Sequence, residues 1–287
     1  MKDLRISSTS NLHFGVNESF NEFIKNELAF QKKAGFDAIN IGLEKIDYLK
    51  DGWQKNVEEA ILDAEREGIS FEICHLPFIQ AGAPLSGEAY DIFCKKMKGS
   101  IEAAKMIGAK YAVMHPNAAT VQTKCFNRKE QFDSVIAHLA PFVEYAERIG
   151  VNTVVENMRV IPTFVASHRY SQTPEEICEV ADALGVGICW DFGHANISGI
   201  CQSEGLAYVG KRLRVIHIND NFGINDDHVP PFIGNINWKD AMHGLALTEF
   251  DGLLNFEIST GKLPAEARES HARYLLDVAK VLLSYIE

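Results

Sequence analysis

The stretch Val186-Gly-Ile-Cys-Trp-Asp-Phe-Gly-His-Ala-Asn196 decides how this chain is read. It opens as a short apolar run with β-branched residues, stops at Asp191, and offers His194 three residues later, beyond Gly193. A run of this kind is what a strand buried on both faces looks like. A carboxylate at its end and an imidazole on the following turn place two metal-capable groups at the strand's C-terminal mouth. Taken alone, such an Asp is more often a turn former or a helix N-cap. The reading therefore depends on whether other segments repeat the pattern.

They do, through a recurring joint of helical pattern, glycine and apolar strand. Gly35 precedes Phe36-Asp-Ala-Ile-Asn-Ile, Gly68 precedes Ile69-Ser-Phe-Glu-Ile-Cys-His, and Gly108 precedes Ala109-Lys-Tyr-Ala-Val-Met-His. Gly150 precedes Val151-Asn-Thr-Val-Val-Glu, and Gly185 introduces the opening stretch. Gly210 stands before Leu213-Arg-Val-Ile-His-Ile, and Gly252 before Leu253-Leu-Asn-Phe-Glu-Ile. Each sits where a helix is left in the left-handed conformation that glycine adopts without a Cβ clash. Between the joints, Tyr90, Phe93, Met97, Ile101 and Ala104 recur at helical spacing, as do Leu275, Val278, Leu282 and Tyr285. Such stripes are core packing.

With Leu4-Arg-Ile-Ser-Ser added at the start, eight strands alternate with eight helices. Strict alternation means parallel pairing with right-handed crossovers. Eight units in 287 residues argue for an α/β fold of the (β/α)8 TIM-barrel type, closed rather than open, with residues 1–287 as one domain. In such a barrel the loops after the strands build the active face. Four of them are long here: Leu76–Ser86, Pro116–Asn127, Asn157–Thr173 and Asn219–Trp238.

The totals narrow the class. Hydrophobic residues make up 46% and charged residues 23%, enough to bury a sizeable core. No apolar run reaches the length of a membrane span. Met1-Lys-Asp-Leu-Arg-Ile enters a strand-like run without a signal-peptide core, so a cytoplasmic location is expected. The six cysteines lack any CxxC pair, which favours reduced, mostly buried thiols. A net charge of −11 repels nucleic acid and anionic membrane, so neither is an expected partner, whereas a homo-oligomer is compatible with this composition.

Reading only the strand ends gives a run of metal-ligand types. The third, fourth and fifth inferred strands end at His75, His115 and Glu156. The sixth ends at Asp191 with His194 beyond it; the seventh carries His217, and its loop adds Asp226 and His228. The eighth carries Glu257. A lone buried His is usually hydrogen-bonded core, and the remaining histidines (His13, His138, His168, His243, His271) are read that way. Four acids and five histidines at matching strand ends are a different matter, because strand ends converge on one mouth and an unpaired buried carboxylate is costly. Such a set suits a divalent metal: Mn, Zn, Co or Fe, with Mg the poorer match to so many imidazoles.

These motifs resemble those of the xylose-isomerase-like barrel superfamily of sugar isomerases, epimerases and endonuclease-IV-type AP endonucleases. The resemblance lies in Cys74-His-Leu-Pro, Met114-His-Pro-Asn, Val155-Glu-Asn, Trp190-Asp-Phe-Gly-His-Ala-Asn, Ile216-His-Ile-Asn-Asp-Asn and Phe256-Glu-Ile. It covers the chain from the third strand onward. By resemblance, Glu156, Asp191, His217 and Glu257 match the ligands of the single metal in ketose 3-epimerase-like members, with Glu156 and Glu257 also flanking the carbon whose proton moves. His75 and His115 with Glu156 match a second metal of the AP endonucleases, and His194, Asp226 and His228 a third, so one to three divalent ions (Mn, Zn, Co or Mg) are implied.

The implied reaction is a metal-dependent sugar or sugar-phosphate isomerisation or epimerisation, with carboxylates moving a proton through a metal-bound enediolate. The alternative is phosphodiester cleavage of the AP endonuclease kind. The acidic charge and the few basic residues near the mouth (Lys124, Arg128, Lys129, Arg159, Arg169) argue against a DNA-gripping face. Those residues suit one sugar phosphate or are solvated loop charges. Ala34-Gly-Phe-Asp-Ala-Ile-Asn-Ile-Gly-Leu-Glu44 resembles the sugar-enzyme side, with Glu44 a hydroxyl acceptor at the mouth or a helix cap. Trp190 and Trp238, with Phe192 and Phe222, are either an apolar wall for a sugar ring or ordinary core. Two features of ketose epimerases are missing. No second Glu follows the fifth strand, where Asn157-Met-Arg-Val stands, and no Arg follows the seventh, where Asn219-Asp-Asn stands. Both losses put the sugar's identity in doubt.

Overall fold

The computed structural model describes residues 5–9, 12, 19–79, 85–116, 126–160, 168, 170–260 and 263–286. Its strands are β1 (Ile6–Thr9), β2 (Ala38–Gly42), β3 (Ser70–His75), β4 (Tyr111–Met114), β5 (Thr153–Glu156), β6 (Gly187–Asp191), β7 (Leu213–His217) and β8 (Leu254–Phe256). All pair in parallel with their sequence neighbours from β1 to β7, and β1 also pairs with β8. The ring closes at β7 and β8 through a single bridge, Ile218 to Phe256. There the Ile218 N–H donates to Asn255 O (2.8 Å) and the Glu257 N–H to Ile218 O (3.0 Å). This is the (β/α)8 barrel that the alternation predicts.

The helices are α1 (Phe20–Ala34), α2 (Gln54–Glu67), α3 (Glu88–Met106), α4 (Arg128–Ile149), α5 (Pro174–Leu184), α6 (Phe192–Ile197), α7 (Gln202–Val209), α8 (Trp238–Leu247) and α9 (Ala265–Ser284). Among the described residues this is one more than the alternation predicts. The addition is α6, which starts because the Asp191 carboxylate accepts the His194 N–H (2.6 Å) as an N-cap.

Alternation of strand side chains sorts the core into two shells. Inside the barrel, Ala38, Ile73, Val113, Val154, Cys189, Val215 and Leu253 pack on one another. Their modest size fits the narrow interior of an eight-stranded ring. Outward-facing Ile39, Ile41, Ile188, Trp190 and Ile216 meet the helical layer. Six glycine joints have positive φ, at residues 35, 68, 108, 150, 185 and 210. Gly252 does not. After α8 the left-handed residue is Glu249 (φ 57°), and a Cβ at Gly252 would lie 2.5 Å from the Phe250 ring, so space rather than backbone freedom fixes that glycine.

Among the described residues the cysteines are free thiols, with Cys74, Cys178 and Cys189 buried, and no helix is long and apolar enough to cross a membrane. Leu4, His13, Lys124, Cys125 and Arg169, and parts of three of the long loops, lie outside the described residues.

A close approach between two helices tests the packing. A Cβ at Gly244 on α8 would sit 2.5 Å from the Cα of Ser203 on α7, a backbone atom that cannot swing away. Helix propensity favours Ala over Gly by about 1 kcal/mol, while forcing an extra methyl into a packed interior costs about 1–3 kcal/mol. The clash prevails, so Gly244→Ala is expected to lower the urea midpoint, by a net destabilisation of about 1 kcal/mol. A raised midpoint would mean that the two helices separate freely.

Candidate functional site

Six strands deliver the predicted ligand types to one end of the barrel. His75, Glu156, Asp191 and His217 are the last residues of β3, β5, β6 and β7, and His115 and Glu257 follow β4 and β8 by one residue. Glu156 lies at the centre, buried. Its Oε2 is 3.2 Å from His115 Nε2 and 3.6 Å from His75 Nε2. Its Oε1 is 3.3 Å from His194 Nδ1 and 3.4 Å from His217 Nδ1. The same His217 Nδ1 is 2.8 Å from Glu257 Oε2 and 3.9 Å from Asp191 Oδ2. One donor atom each from Glu156, Asp191, His217 and Glu257 lies within 4.8 Å of all the others. Two further sets meet the same limit: His75 with His115 and Glu156, and Glu156 with Cys189 and His217.

Above this cluster opens a cavity of about 440 Å³, lined in part by Asn40, Glu44, Phe78, the histidines at 75, 115, 194 and 228, and Glu257. Glu44 stands at the mouth, in a short 3₁₀ turn (Leu43–Lys45) directly after β2.

The opening motif holds its groups by backbone bonds. Asn157 clamps Asp191 from β5: its side chain accepts the Asp191 N–H (2.6 Å) and donates to the Asp191 carbonyl (3.0 Å). Asp191 Oδ1 caps α6, while Oδ2 accepts from the Asn219 side chain (2.7 Å) and faces His217. Asp191 is therefore an N-cap and a cluster carboxylate at once. Gly193 is needed between Asp191 and His194 because any Cβ there would overlap the Asn219 amide. The Asn219-Asp-Asn stretch holds the long loop together. Asp220 accepts from the N–H groups of Asn221, Phe232 and Ile236 and from the Trp238 indole.

Electrostatics follow from crowding. Burial opposes ionisation of Glu156, yet the charges of His217 and His115 and hydrogen bonds from His115 and His194 hold it well below the usual carboxylate range. Glu257 behaves alike and falls to about 2, against burial, through His217 and His228. Asp191 goes the other way, pushed up to about 6 by burial against the relief from His194, with Glu156 and Glu257 adding to the rise. Burial would lower His194 and His217. Asp191, Asp226 and Glu156 raise the first well above its ordinary value, and Cys189, Glu257 and Glu156 raise the second. His75 and His115 stand Nε2 to Nε2 at 2.9 Å, where only one can carry the proton between them. Accordingly, Glu156 and Glu257 raise His75 against its burial, while burial prevails at His115 and His75 adds to it.

The donor set fits a divalent cation. His217 Nδ1 is buried with no well-formed hydrogen bond, and Glu257 Oε2, Glu156 Oε1 and Asp191 Oδ2 approach it at 2.8, 3.4 and 3.9 Å, a nitrogen and three carboxylates around one point. His194, Asp226 and His228, expected by resemblance to form a third metal set, do not bring their donors within one ion's reach among the described residues. Asp226 instead bridges His194 (3.4 Å) and His228 (3.3 Å) and takes the Arg159 guanidinium at 3.0 Å. A guanidinium already supplies the positive charge at that corner.

Other expectations are corrected. Trp190 and Trp238 are almost wholly buried behind the barrel wall and form no part of the cavity lining. The Trp190 indole donates to Gln202 (3.0 Å) and its ring abuts Gly205, because a side chain one residue before Asp191 must face the helices. Phe192 is also core, and Phe222 is exposed. The large aromatic in the lining is Phe78, stacked on His115 with ring centroids 4.5 Å apart, and the sequence offers no periodicity that would single it out. Arg128 and Lys129 form surface ion pairs with Glu179 and Asp133. Of the histidines set aside, His138 bonds Tyr90 and is pushed down to about 4 by burial, and His168 bonds Glu176.

A family profile described as a xylose isomerase-like TIM barrel matches residues 28–278. An uncharacterized protein of Methanocaldococcus jannaschii is 27% identical over 246 residues, covering 84% of this chain and 80% of that protein. A probable endonuclease 4 of Mesomycoplasma hyopneumoniae is 27% identical over 161 residues, about half of each chain (52% and 53%). Among solved structures, a D-tagatose 3-epimerase-like protein superposes with a TM-score of 0.74 at 21% identity, covering 99% of this chain and all of that one. At that identity the likeness is one of fold.

The metal-free cluster should carry a pH signature. His228 is raised to about 10, with burial opposing and Asp226 and Glu257 prevailing. A raised histidine adds stability that is whole below its unfolded value near 6.5 and is lost as pH climbs through the folded value. Chelator-treated protein is therefore expected to lose melting temperature between about pH 6.5 and 10, and His228→Gln to flatten that slope. An equal slope in the variant would show that His228 carries no such proton.

Proposed function

The chain belongs to the xylose isomerase-like TIM-barrel family, and on that premise we propose that it is a divalent-metal-dependent isomerase or epimerase of a sugar or sugar phosphate. One observation carries the reading. Glu156 and Glu257 both reach His217 Nδ1, at 3.4 and 2.8 Å, and with Asp191 form a single four-donor set on the cavity floor. A cation held there supplies positive charge beside the oxygens of a hydroxyketone, which makes the neighbouring C–H acidic.

The chain's own groups then do the proton work. Glu257 lines the cavity with its side chain 19% exposed, against 2% for Glu156, so Glu257 is the base for the first transfer. Both carboxylates are ionised at neutral pH in the metal-free protein, as an acceptor must be. Returning the proton from Glu257 to the adjacent carbon gives isomerisation. For epimerisation Glu257 keeps the proton it removed and Glu156 delivers a different one to the opposite face, a proton that Glu156 takes from the His75–His115 pair lying against its Oε2. Glu44 at the mouth accepts a substrate hydroxyl, and Phe78, half-exposed over His115, presents an apolar face to the sugar's C–H edge.

A second reading has its own support. His75, His115 and Glu156 form another donor set, and the relative from Mesomycoplasma hyopneumoniae is named a probable endonuclease 4. Two adjacent ions suit phosphodiester hydrolysis. The guanidinium on Asp226 and the net charge of −11 weigh against a nucleic-acid substrate.

Mn-loaded protein incubated with ketohexoses in heavy water is expected to incorporate deuterium beside the carbonyl, and Glu257→Gln to cut that rate by at least about 10². Cleavage of an abasic-site duplex with no exchange into any sugar would transfer the assignment to hydrolysis, and a protein that binds no divalent ion would end both readings. In the same assay, Phe78→Ala should raise KM about tenfold while sparing kcat, the signature of a contact equal in ground and transition states.

A further inference from the structure

The three carboxylates near His217 all approach the same ring nitrogen. Glu257, Glu156 and Asp191 stand 2.8, 3.4 and 3.9 Å from Nδ1. Nδ1 is therefore the atom that would meet a cation, and it must then be bare of its proton. A neutral imidazole with a bare Nδ1 carries its hydrogen on Nε2. Whatever faces Nε2 must accept a hydrogen bond, or the ring is held in the wrong tautomer.

Asn40 faces it. This side chain comes from β2, three strands round the ring from β7, is fully buried, and lies with its amide 3.5 Å from His217 Nε2. One orientation turns the amide NH₂ to the ring and leaves the amide oxygen buried with no hydrogen-bond donor. The amide's two ends are alike in shape, so the network decides which way round it stands. With NH₂ toward the ring, Nε2 would have to be the acceptor and Nδ1 would keep its hydrogen among three acids. With oxygen toward the ring, the orphaned acceptor gains a donor and Nδ1 is bare. The other side chain lying against the imidazole, the Cys189 thiol, is a weak acceptor that cannot do this as well.

We infer that Asn40 is a positioning residue for the candidate metal centre: its amide oxygen accepts the His217 Nε2–H and fixes the tautomer that turns Nδ1 toward the cation. It acts on the ion through His217 and is not itself one of the four donors. The inference rests on the metal-centre part of the proposed function and is independent of which sugar, if any, is turned over.

The test is calorimetric titration of chelator-stripped protein with Mn²⁺ and Co²⁺ alone, without substrate. Asn40→Leu keeps the volume and removes the acceptor, and is expected to weaken binding 10- to 100-fold, the usual effect of losing such a partner. Asn40→Asp keeps an oxygen at that place and is expected to bind within a few-fold of the wild type. A role in packing alone would spare the Leu variant, and a role as donor would damage both variants alike; either result overturns the inference. In ¹⁵N-histidine spectra of the zinc-loaded wild type, the His217 proton is expected on Nε2, and finding it on Nδ1 would overturn the inference without any variant. Wild-type binding with a weakened Leu variant but no action on any sugar would leave the inference standing and remove the proposed function. Unchanged binding in the Leu variant with active turnover would do the reverse.

Discussion

Mutual repulsion among carboxylates is the constraint around which this molecule is built. Glu156, Asp191 and Glu257 sit close enough to share one small ion, the first two buried and the third only partly exposed, where water screens them poorly. Such an arrangement is tolerable only if positive charge lies among them. The metal-free protein supplies it with protons on His217, His194 and His228, which is why burial fails to lower those three imidazoles. Where no imidazole compensates fully, at Asp191, the carboxyl itself gives way and rises.

The scaffold around the cluster is accordingly one of fixed donors. Asn157 and Asn219 meet Asp191 from two neighbouring strands, and Gly193 is bare so that the Asn219 amide can pass. Asp220 gathers four N–H groups and so holds the loop that carries Asp226 and His228. Backbone and amide donors carry no net charge, so they orient the acids without consuming the site's demand for a cation. Arg159 on Asp226 is the exception, and it marks the corner where that demand is already met.

Most of the barrel is legible in the sequence because glycine joints and apolar runs are local signals. The same holds for His75, His115, Glu156, Asp191, His217 and Glu257, whose positions follow from strand ends alone. What was not legible depends on direction. Trp190 stands beside Asp191 in sequence yet faces the opposite side of the wall, so proximity along the chain misled where strand alternation would have decided. Asn40 and Phe78 reach the cluster from β2 and from a loop after β3, and only closure of the ring brings them there. The contact of Arg159 with Asp226 spans 67 residues, which no spacing rule contains.

The seam between β7 and β8 gives the cluster a second mechanical meaning. Every other strand pair is joined by a ladder, but this one is held by a single bridge and two hydrogen bonds, immediately beside His217 and Glu257. An ion gripping both side chains would act as a clasp on a hoop, tightening the circumference at its least stitched point. Loading the site and closing the wall would then be one event, with the free energy of one expressed as rigidity in the other.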